Sequence, residues 1–153
     1  MNLLKARLLV RELMEKHSLI DKGWHFDFDN SKKRFGCCDY TYKKITMSKH
    51  LTLLNDEAEV KDTILHEIAH AIVGAEHGHN RIWQNMAIRI GCNGNQYYDS
   101  SVVVTPPPNY IGYCPNCKKE FKRMRRASNS VSCGSCSGGR YNEEYKINFK
   151  RNK

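Results

Sequence analysis

The chain alternates between segments whose apolar residues recur at helical spacing and shorter segments with the two-residue period of a strand. The helical spacing predicts helices at residues 2–17, 56–73 and 81–91. Alternating aromatic and polar residues predict a strand at residues 23–29, and a second and a third strand are expected at residues 34–40 and 43–48. We therefore expect an α+β domain in which helices flank a small antiparallel sheet.

The same pattern predicts which helix faces are buried. The first helix is expected to turn five leucines inward, namely Leu3, Leu4, Leu8, Leu9 and Leu13. The last helix is expected to turn Ile82, Trp83, Met86 and Ile90 inward. Gly74 and Gly91 stand where the second and third helices could end, because glycine readily adopts the backbone conformation that terminates helices.

The positive charge is concentrated at the C-terminal end. Residues 1–113 contain 14 Lys/Arg and 13 Asp/Glu, a net charge of +1, whereas residues 114–153 contain 11 and 3, a net charge of +8. Such a basic appendage indicates an anionic polymer as partner, nucleic acid first, although a basic tail without a partner has the same composition. The candidate phosphate contacts are Lys118, Lys119, Lys122, Arg123, Arg125, Arg126 and Arg140.

The run Pro106-Pro107-Pro108 predicts a stiff extended spacer and therefore two domains, 1–105 and 106–153. No segment approaches the 18 apolar residues of a membrane span. The N-terminal segment carries a charge every few residues, unlike a signal peptide. We expect an intracellular monomer that does not bind membranes, in the cytoplasm or at the nucleoid, or in the host cytoplasm if the source is viral.

The strongest motif is His66-Glu67-x-x-His70, within the second predicted helix. Residues four apart lie on one helix face, so both imidazoles can bind one zinc ion. Glu67 lies beside them, where its carboxylate can act as general base toward water that the zinc activates. The alternative is a pair of histidines that only pack within the fold.

A catalytic zinc usually has three protein ligands and one open position. The third ligand must come from nearby, and His77 and His79 are both candidates. Glu76 occupies the position where the extended metzincin motif has a histidine, which argues against that group of proteases.

Two C-x-x-C pairs, Cys114/Cys117 and Cys133/Cys136, have the spacing of a structural zinc site. The alternative is disulfide bonding, which a reducing compartment disfavours. The pattern predicts a small zinc ribbon that folds only when zinc is bound. Aromatic residues of this segment could stack on unpaired bases, although Phe121 is expected in the core; they are Tyr113, Phe121, Tyr141 and Tyr145.

These motifs together resemble the SprT-like (Spartan-related) family of zinc metalloproteases, in its compact form with a C-terminal zinc ribbon. In that family a third histidine is followed four residues later by an aromatic residue. Trp83 stands in that position relative to His79, so the resemblance implies His79 as the third ligand. It also implies a zincin-type fold around the metal helix, one catalytic and one structural Zn²⁺, and Glu67 as the catalytic residue.

Eukaryotic members of the family cleave proteins covalently trapped on DNA, and DNA binding activates them. The resemblance therefore implies a zinc metalloendopeptidase that acts on DNA-bound proteins in the repair of DNA–protein crosslinks, with DNA and these proteins as partners. Two alternatives remain: a non-catalytic adaptor that binds nucleic acid through its ribbon, and a general metallopeptidase that is independent of DNA.

Overall fold

The computed structural model describes residues 1–152, and the chain divides into two compact units, Met1–Pro106 and Pro107–Lys153. Each unit contains its own three-stranded sheet. The first unit contains α1 (Leu3–Lys16), β1 (His25–Asp29), β2 (Gly36–Asp39), β3 (Lys44–Ser48), α2 (Lys49–Leu54), α3 (Glu57–Val73) and α4 (Arg81–Arg89). The second contains β4 (Tyr110–Tyr113), β5 (Glu120–Arg123), α5 (Gly134–Ser137) and β6 (Lys150–Arg151).

The chain is a mixed α+β protein, but the prediction of an antiparallel sheet in the first unit is wrong. The strand order is β1-β3-β2, and β3 runs antiparallel to β2 and parallel to β1. The prediction paired strands that are consecutive in sequence. The central position instead goes to the strand with the most buried side chains, because Ile45 and Met47 of β3 are almost inaccessible to solvent.

The connection from β1 to β2 passes over the end of β3. The Ser48 N–H donates to the Phe35 carbonyl at 2.7 Å, and the Ser48 hydroxyl donates to the Ser31 carbonyl at 2.5 Å. These bonds satisfy backbone groups of a segment that crosses from one edge of the sheet to the other. As a result β2 is an edge strand, and it packs against α3.

The buried face of α1 differs from the prediction. Ala6, Val10, Leu13 and Met14 are buried, whereas Leu4 and Leu8 are 67% and 61% exposed. The row of leucines dominated the hydrophobic pattern. The buried face of α1, which packs against α3, combines the small Ala6 and Val10 with Leu13 and Met14.

The inward face of α4 also differs in one position. Trp83 and Ala87 are buried, and Met86 and Ile90 are partly buried, but Ile82 is 53% exposed. Ala87 lies one turn after Trp83, so these two residues define the buried stripe. The core of the first unit is continuous across α1, the sheet, α3 and α4.

The second unit has a much smaller core. Its strands are all antiparallel in the order β5-β4-β6. The buried residues are Cys114, Cys133 and Ile147, with Phe121, Cys136, Tyr145 and Phe149 packed against them. Within residues 1–152, none of the helices combines the length and apolarity needed to cross a membrane.

Candidate metal centres

The long helix α3 positions the His66-Glu67-x-x-His70 motif. Its first turn is capped by Asp56, whose carboxylate accepts the Glu59 N–H at 3.0 Å. It ends at Gly74, whose φ of 97° lies in a region that side chains other than glycine rarely adopt. His66 and His70 therefore project from one face of a single uninterrupted helix.

His79 is positioned by the start of the next helix. Asn80 caps α4, because its side-chain oxygen accepts the N–H groups of Ile82 and Trp83 at 2.9 and 3.2 Å. Asn80, which directly follows His79, therefore fixes the point at which α4 begins. A short 3-10 turn at Ala75–His77 joins the two helices and returns the chain toward α3.

The three histidines converge on one point. The Nε2 atoms of His66, His70 and His79 lie 3.0 to 3.2 Å from one another. Tetrahedral zinc with Zn–N bonds of about 2.0–2.1 Å would hold such atoms about 3.3 Å apart. The three donors could therefore hold one zinc ion with little movement.

The electrostatics of this cluster favour the neutral form of the imidazoles. Burial and the neighbouring histidines lower the pKa of His66 to about 4, and burial together with His79 lowers the pKa of His70 to about 4. Burial also lowers the pKa of His79. A neutral ring keeps the lone pair that binds a metal, so the donor set suits zinc at neutral pH.

Trp83 packs against all three rings. Its ring centroid lies 4.6 Å from that of His66, 5.1 Å from His70 and 4.7 Å from His79, and it stacks on His70 with an interplanar angle of 25°. Trp83 is only 1% exposed. This side chain therefore supports the whole cluster and not His79 alone.

His77, the other candidate for the third ligand, lies outside the cluster. Its Nε2 is 3.7 Å from the Glu76 carboxylate, and its Nδ1 is 3.4 Å from the Asn80 side-chain nitrogen. These contacts place His77 in the connection between the two helices, among polar neighbours.

Glu67 is almost completely buried, with 7% of its surface exposed. Burial raises the pKa of its carboxyl to about 8, and the positive charge of Arg34 partly opposes this effect. It lines a cleft of about 550 Å³ together with the three histidines. A carboxyl in this setting has a strong tendency to accept a proton.

Sequence reasoning missed Gly36, the first residue of β2. A Cβ atom at this position would lie 2.6 Å from Oε1 of Glu67 and 2.8 Å from its Cγ. Only glycine therefore lets β2 lie directly against the carboxylate. The available signal was a glycine inside a predicted strand, which often marks a close approach by another group.

Aromatic and cationic residues form other parts of the cleft wall, including Tyr40, Tyr97, Tyr98, Lys33 and Arg34. Tyr98 joins two of its sides, because its hydroxyl donates to the Lys33 carbonyl at 3.1 Å and its ring contacts Phe35 edge to face. Cys37 and Cys38 also line the cleft and are only partly buried.

The four cysteines of the second unit form a separate cluster. Sγ of Cys114 lies 3.8 Å from that of Cys136, and Sγ of Cys117 lies 3.7 Å from that of Cys133. Disulfide sulfurs are about 2.05 Å apart. Tetrahedral zinc with Zn–S bonds of about 2.3 Å holds its sulfurs about 3.8 Å apart, so this cluster could bind zinc.

The protein favours the thiolate form at one of these cysteines. Although burial opposes it, hydrogen bonds from the backbone N–H groups of Cys117 and Asn116 lower the pKa of Cys114 to about 7. The thiolate is the form that binds metal.

The predicted phosphate contacts lie at the surface of the second unit. All are exposed except Arg123, which is partly buried with its guanidinium 4.9 Å from the Phe149 ring centroid. Lys122 forms an ion pair with Glu120 at 2.9 Å. Of the four candidate stacking residues, Tyr113 and Tyr141 are more than half exposed, while Phe121 and Tyr145 pack against the core.

Comparison with known proteins identifies the first unit. The SprT-like family matches residues 8–103, which is more than half of the chain. The chain belongs to the SprT-like family. The match includes Glu67 and all three clustered histidines, and it ends before the first of the four clustered cysteines. No curated protein matches the chain.

Proposed function

We propose that this SprT-like protein is a zinc-dependent metalloendopeptidase that cleaves proteins bound to DNA. The observation that carries the proposal is the convergence of three Nε2 atoms within 3.2 Å of one another in the cleft that also contains the buried Glu67. Membership of the SprT-like family supports a metallopeptidase function.

His66, His70 and His79 would hold the catalytic zinc. When bound, zinc supplies a Lewis acid that activates water and polarises a peptide carbonyl. The Glu67 carboxylate takes a proton from the attacking water and then returns it to the leaving amine. Burial beside Gly36 keeps this carboxylate in one position next to the three histidines.

The second unit would hold a structural zinc through its four cysteines and bind DNA through its surface cations. Its net charge of +8 and the exposure of Lys118, Lys119, Arg125, Arg126 and Arg140 support this role. Cations at these positions can neutralise phosphates and release counterions. DNA would then concentrate the enzyme on protein substrates that are attached to DNA.

The test begins with metal analysis, which should find close to two zinc ions per chain. Glu67→Gln should keep both ions and abolish cleavage of a DNA-bound test protein. Glu76→Gln is the matched control, because Glu76 lies near the cleft but its side chain is 73% exposed. Cleavage by Glu67→Gln at the parent rate would refute the peptidase mechanism.

The DNA component has a separate test. Replacing both Arg125 and Arg126 with alanine should weaken DNA binding, make it less dependent on salt concentration, and reduce cleavage of DNA-bound protein. If added DNA and these replacements both leave the cleavage rate unchanged, the protein is a metallopeptidase for which DNA is irrelevant.

A further inference from the structure

A tight turn beside the histidine cluster is attached to α3 by the carboxylate of the partly buried Asp62. The turn comprises residues 93–95, which follow α4. The Asp62 carboxylate accepts the Asn93 N–H at 2.7 Å, and it also forms a hydrogen bond with the Cys92 thiol. Asp62 precedes His66 by one helical turn, so its side chain and the imidazole lie on the same face of α3.

The turn is fixed internally and from the other helix. The Asn93 side-chain oxygen accepts the Asn95 N–H at 2.7 Å, and the Gln84 side chain of α4 donates to the Gly94 carbonyl at 3.3 Å. Gly94 has a φ of +76°, and a Cβ atom there would lie 2.8 Å from Cγ1 of Ile88. The turn is therefore held between α3 and α4 in one conformation.

The same turn contacts His66 through a hydrogen bond between the imidazole and the Asn95 backbone. The Asn95 N–H already donates to the Asn93 side-chain oxygen, so the Asn95 carbonyl is the backbone group that accepts from the ring. Nε2 of His66 faces the other two histidines, so Nδ1 is the atom that faces the turn. By contrast, Nδ1 of His70 is buried and has no hydrogen-bond partner within residues 1–152.

We propose that Asp62 is a positioning residue for the candidate zinc site, acting through the 93–95 turn to fix the tautomer and direction of the His66 ring. A carbonyl that accepts from Nδ1 keeps the proton there and leaves the Nε2 lone pair free for the metal. The inference rests on the zinc-binding role proposed above for His66. Asp62 itself is not a ligand.

The test measures metal affinity in the full-length protein without any peptide or DNA. Asp62→Ala should weaken binding at the histidine site about 10- to 100-fold, the usual effect of losing an indirect hydrogen-bond partner of a ligand. Asp62→Asn keeps an oxygen that can accept the Asn93 N–H and should restore binding. Chelator competition with ¹¹³Cd reports the two sites separately, because nitrogen- and sulfur-bound cadmium resonate at well-separated shifts.

Two further variants make the result specific. Asn93→Ala removes the bond inside the turn and should also weaken metal binding, whereas Asp56→Ala removes the cap of the same helix and should leave affinity unchanged. In metal-free protein, long-range ¹H–¹⁵N spectra should show the proton of His66 on Nδ1 in the parent and a mixture of the Nδ1-H and Nε2-H tautomers in Asp62→Ala.

A loss smaller than about tenfold in Asp62→Ala, or an equal loss in Asp56→Ala, would overturn the proposal. Either result concerns metal binding alone. A failure of the peptidase proposal would instead appear in the unmodified protein, which would bind zinc at the histidine site and cleave no test protein.

Discussion

The two candidate metal centres are built in opposite ways. The histidine cluster lies on helices that belong to a continuous hydrophobic core, so the first unit can place its donors before any metal arrives. The cysteine cluster is itself the main part of a core that otherwise has Ile147 as its buried residue. We infer that metal would complete a site in the first unit and would complete the fold in the second.

The largest expected effect is therefore the loss of structure in the second unit when zinc is removed. Structural zinc contributes apparent binding energies of about 10 kcal/mol or more in small modules of this kind. In Cys133→Ser, the amide resonances of residues 107–152 should lose the chemical-shift dispersion of a folded protein, whereas those of the first unit should keep their positions. Cys92→Ser, at a buried cysteine outside both clusters, is the control. A second unit that stays folded without metal would contradict this contrast.

The next effect concerns the tryptophan that supports the histidines. Trp83→Ala removes a buried side chain and should lower the free energy of unfolding of the first unit by about 3–5 kcal/mol. It should also weaken metal binding, because the three rings lose their common packing partner. Thermal unfolding and chelator competition measure the two effects. Ile82→Ala, at an exposed position of the same helix, should change neither, and a similar loss in both variants would count against the role of Trp83.

Gly36→Ala tests the role of Glu67 independently of the metal ligands, because the atoms nearest to the added Cβ all belong to Glu67. The added Cβ would occupy the space of the Glu67 carboxylate, which must move aside. A displacement of about 1 Å in a catalytic group lowers the rate about 100-fold, so cleavage should fall by that factor while both zinc ions remain. Gly134→Ala, where nothing lies within 4 Å of the new atom, should cleave like the parent. Full activity in Gly36→Ala would show that cleavage does not depend on the position of the Glu67 carboxylate against β2.

The smallest effect is a pH dependence of stability in metal-free protein. The pKa of Glu67 is near 4.5 when unfolded and about 8 when folded, so the folded state binds more protons between these values. Stability from this group is therefore complete below about pH 4.5 and is lost as the pH rises through 8. Glu67→Gln cannot ionise, so it should remove the loss and be more stable than the parent at pH 9 by about 2 kcal/mol, because only the parent then buries an unpaired charge. Denaturant titrations at pH 5 and 9 measure the difference, and equal stability at both would contradict it.

Local spacing explains which parts of the fold and the candidate site the sequence predicts. His66 and His70 share a face because of the helical repeat, and the cysteine pairs are short local motifs whose donors meet across one small module. His79 required the resemblance to the SprT-like family, since spacing alone left His77 equally possible. The family assignment made from these motifs is confirmed by the match over residues 8–103.

The features that the sequence did not predict depend on contacts between distant segments. The central position of β3 follows from burial relative to both neighbours, which a strand pattern does not encode. Gly36 matters only because α3 places Glu67 against it, 31 positions later in the chain. Leu4, Leu8 and Ile82 are apolar yet exposed, because the faces of α1 and α4 that pack against α3 are other ones, which carry Ala6, Val10, Leu13, Met14, Trp83 and Ala87.

The three clustered imidazoles come from a short stretch of chain, with His66 and His79 only 13 positions apart. Closing so short a loop costs little entropy, and such local contacts form early during folding. The surroundings of Glu67 instead require β2 to reach α3 from far along the chain. The three donors can therefore meet through local chain geometry, whereas Glu67 obtains its buried surroundings only when β2 packs against α3.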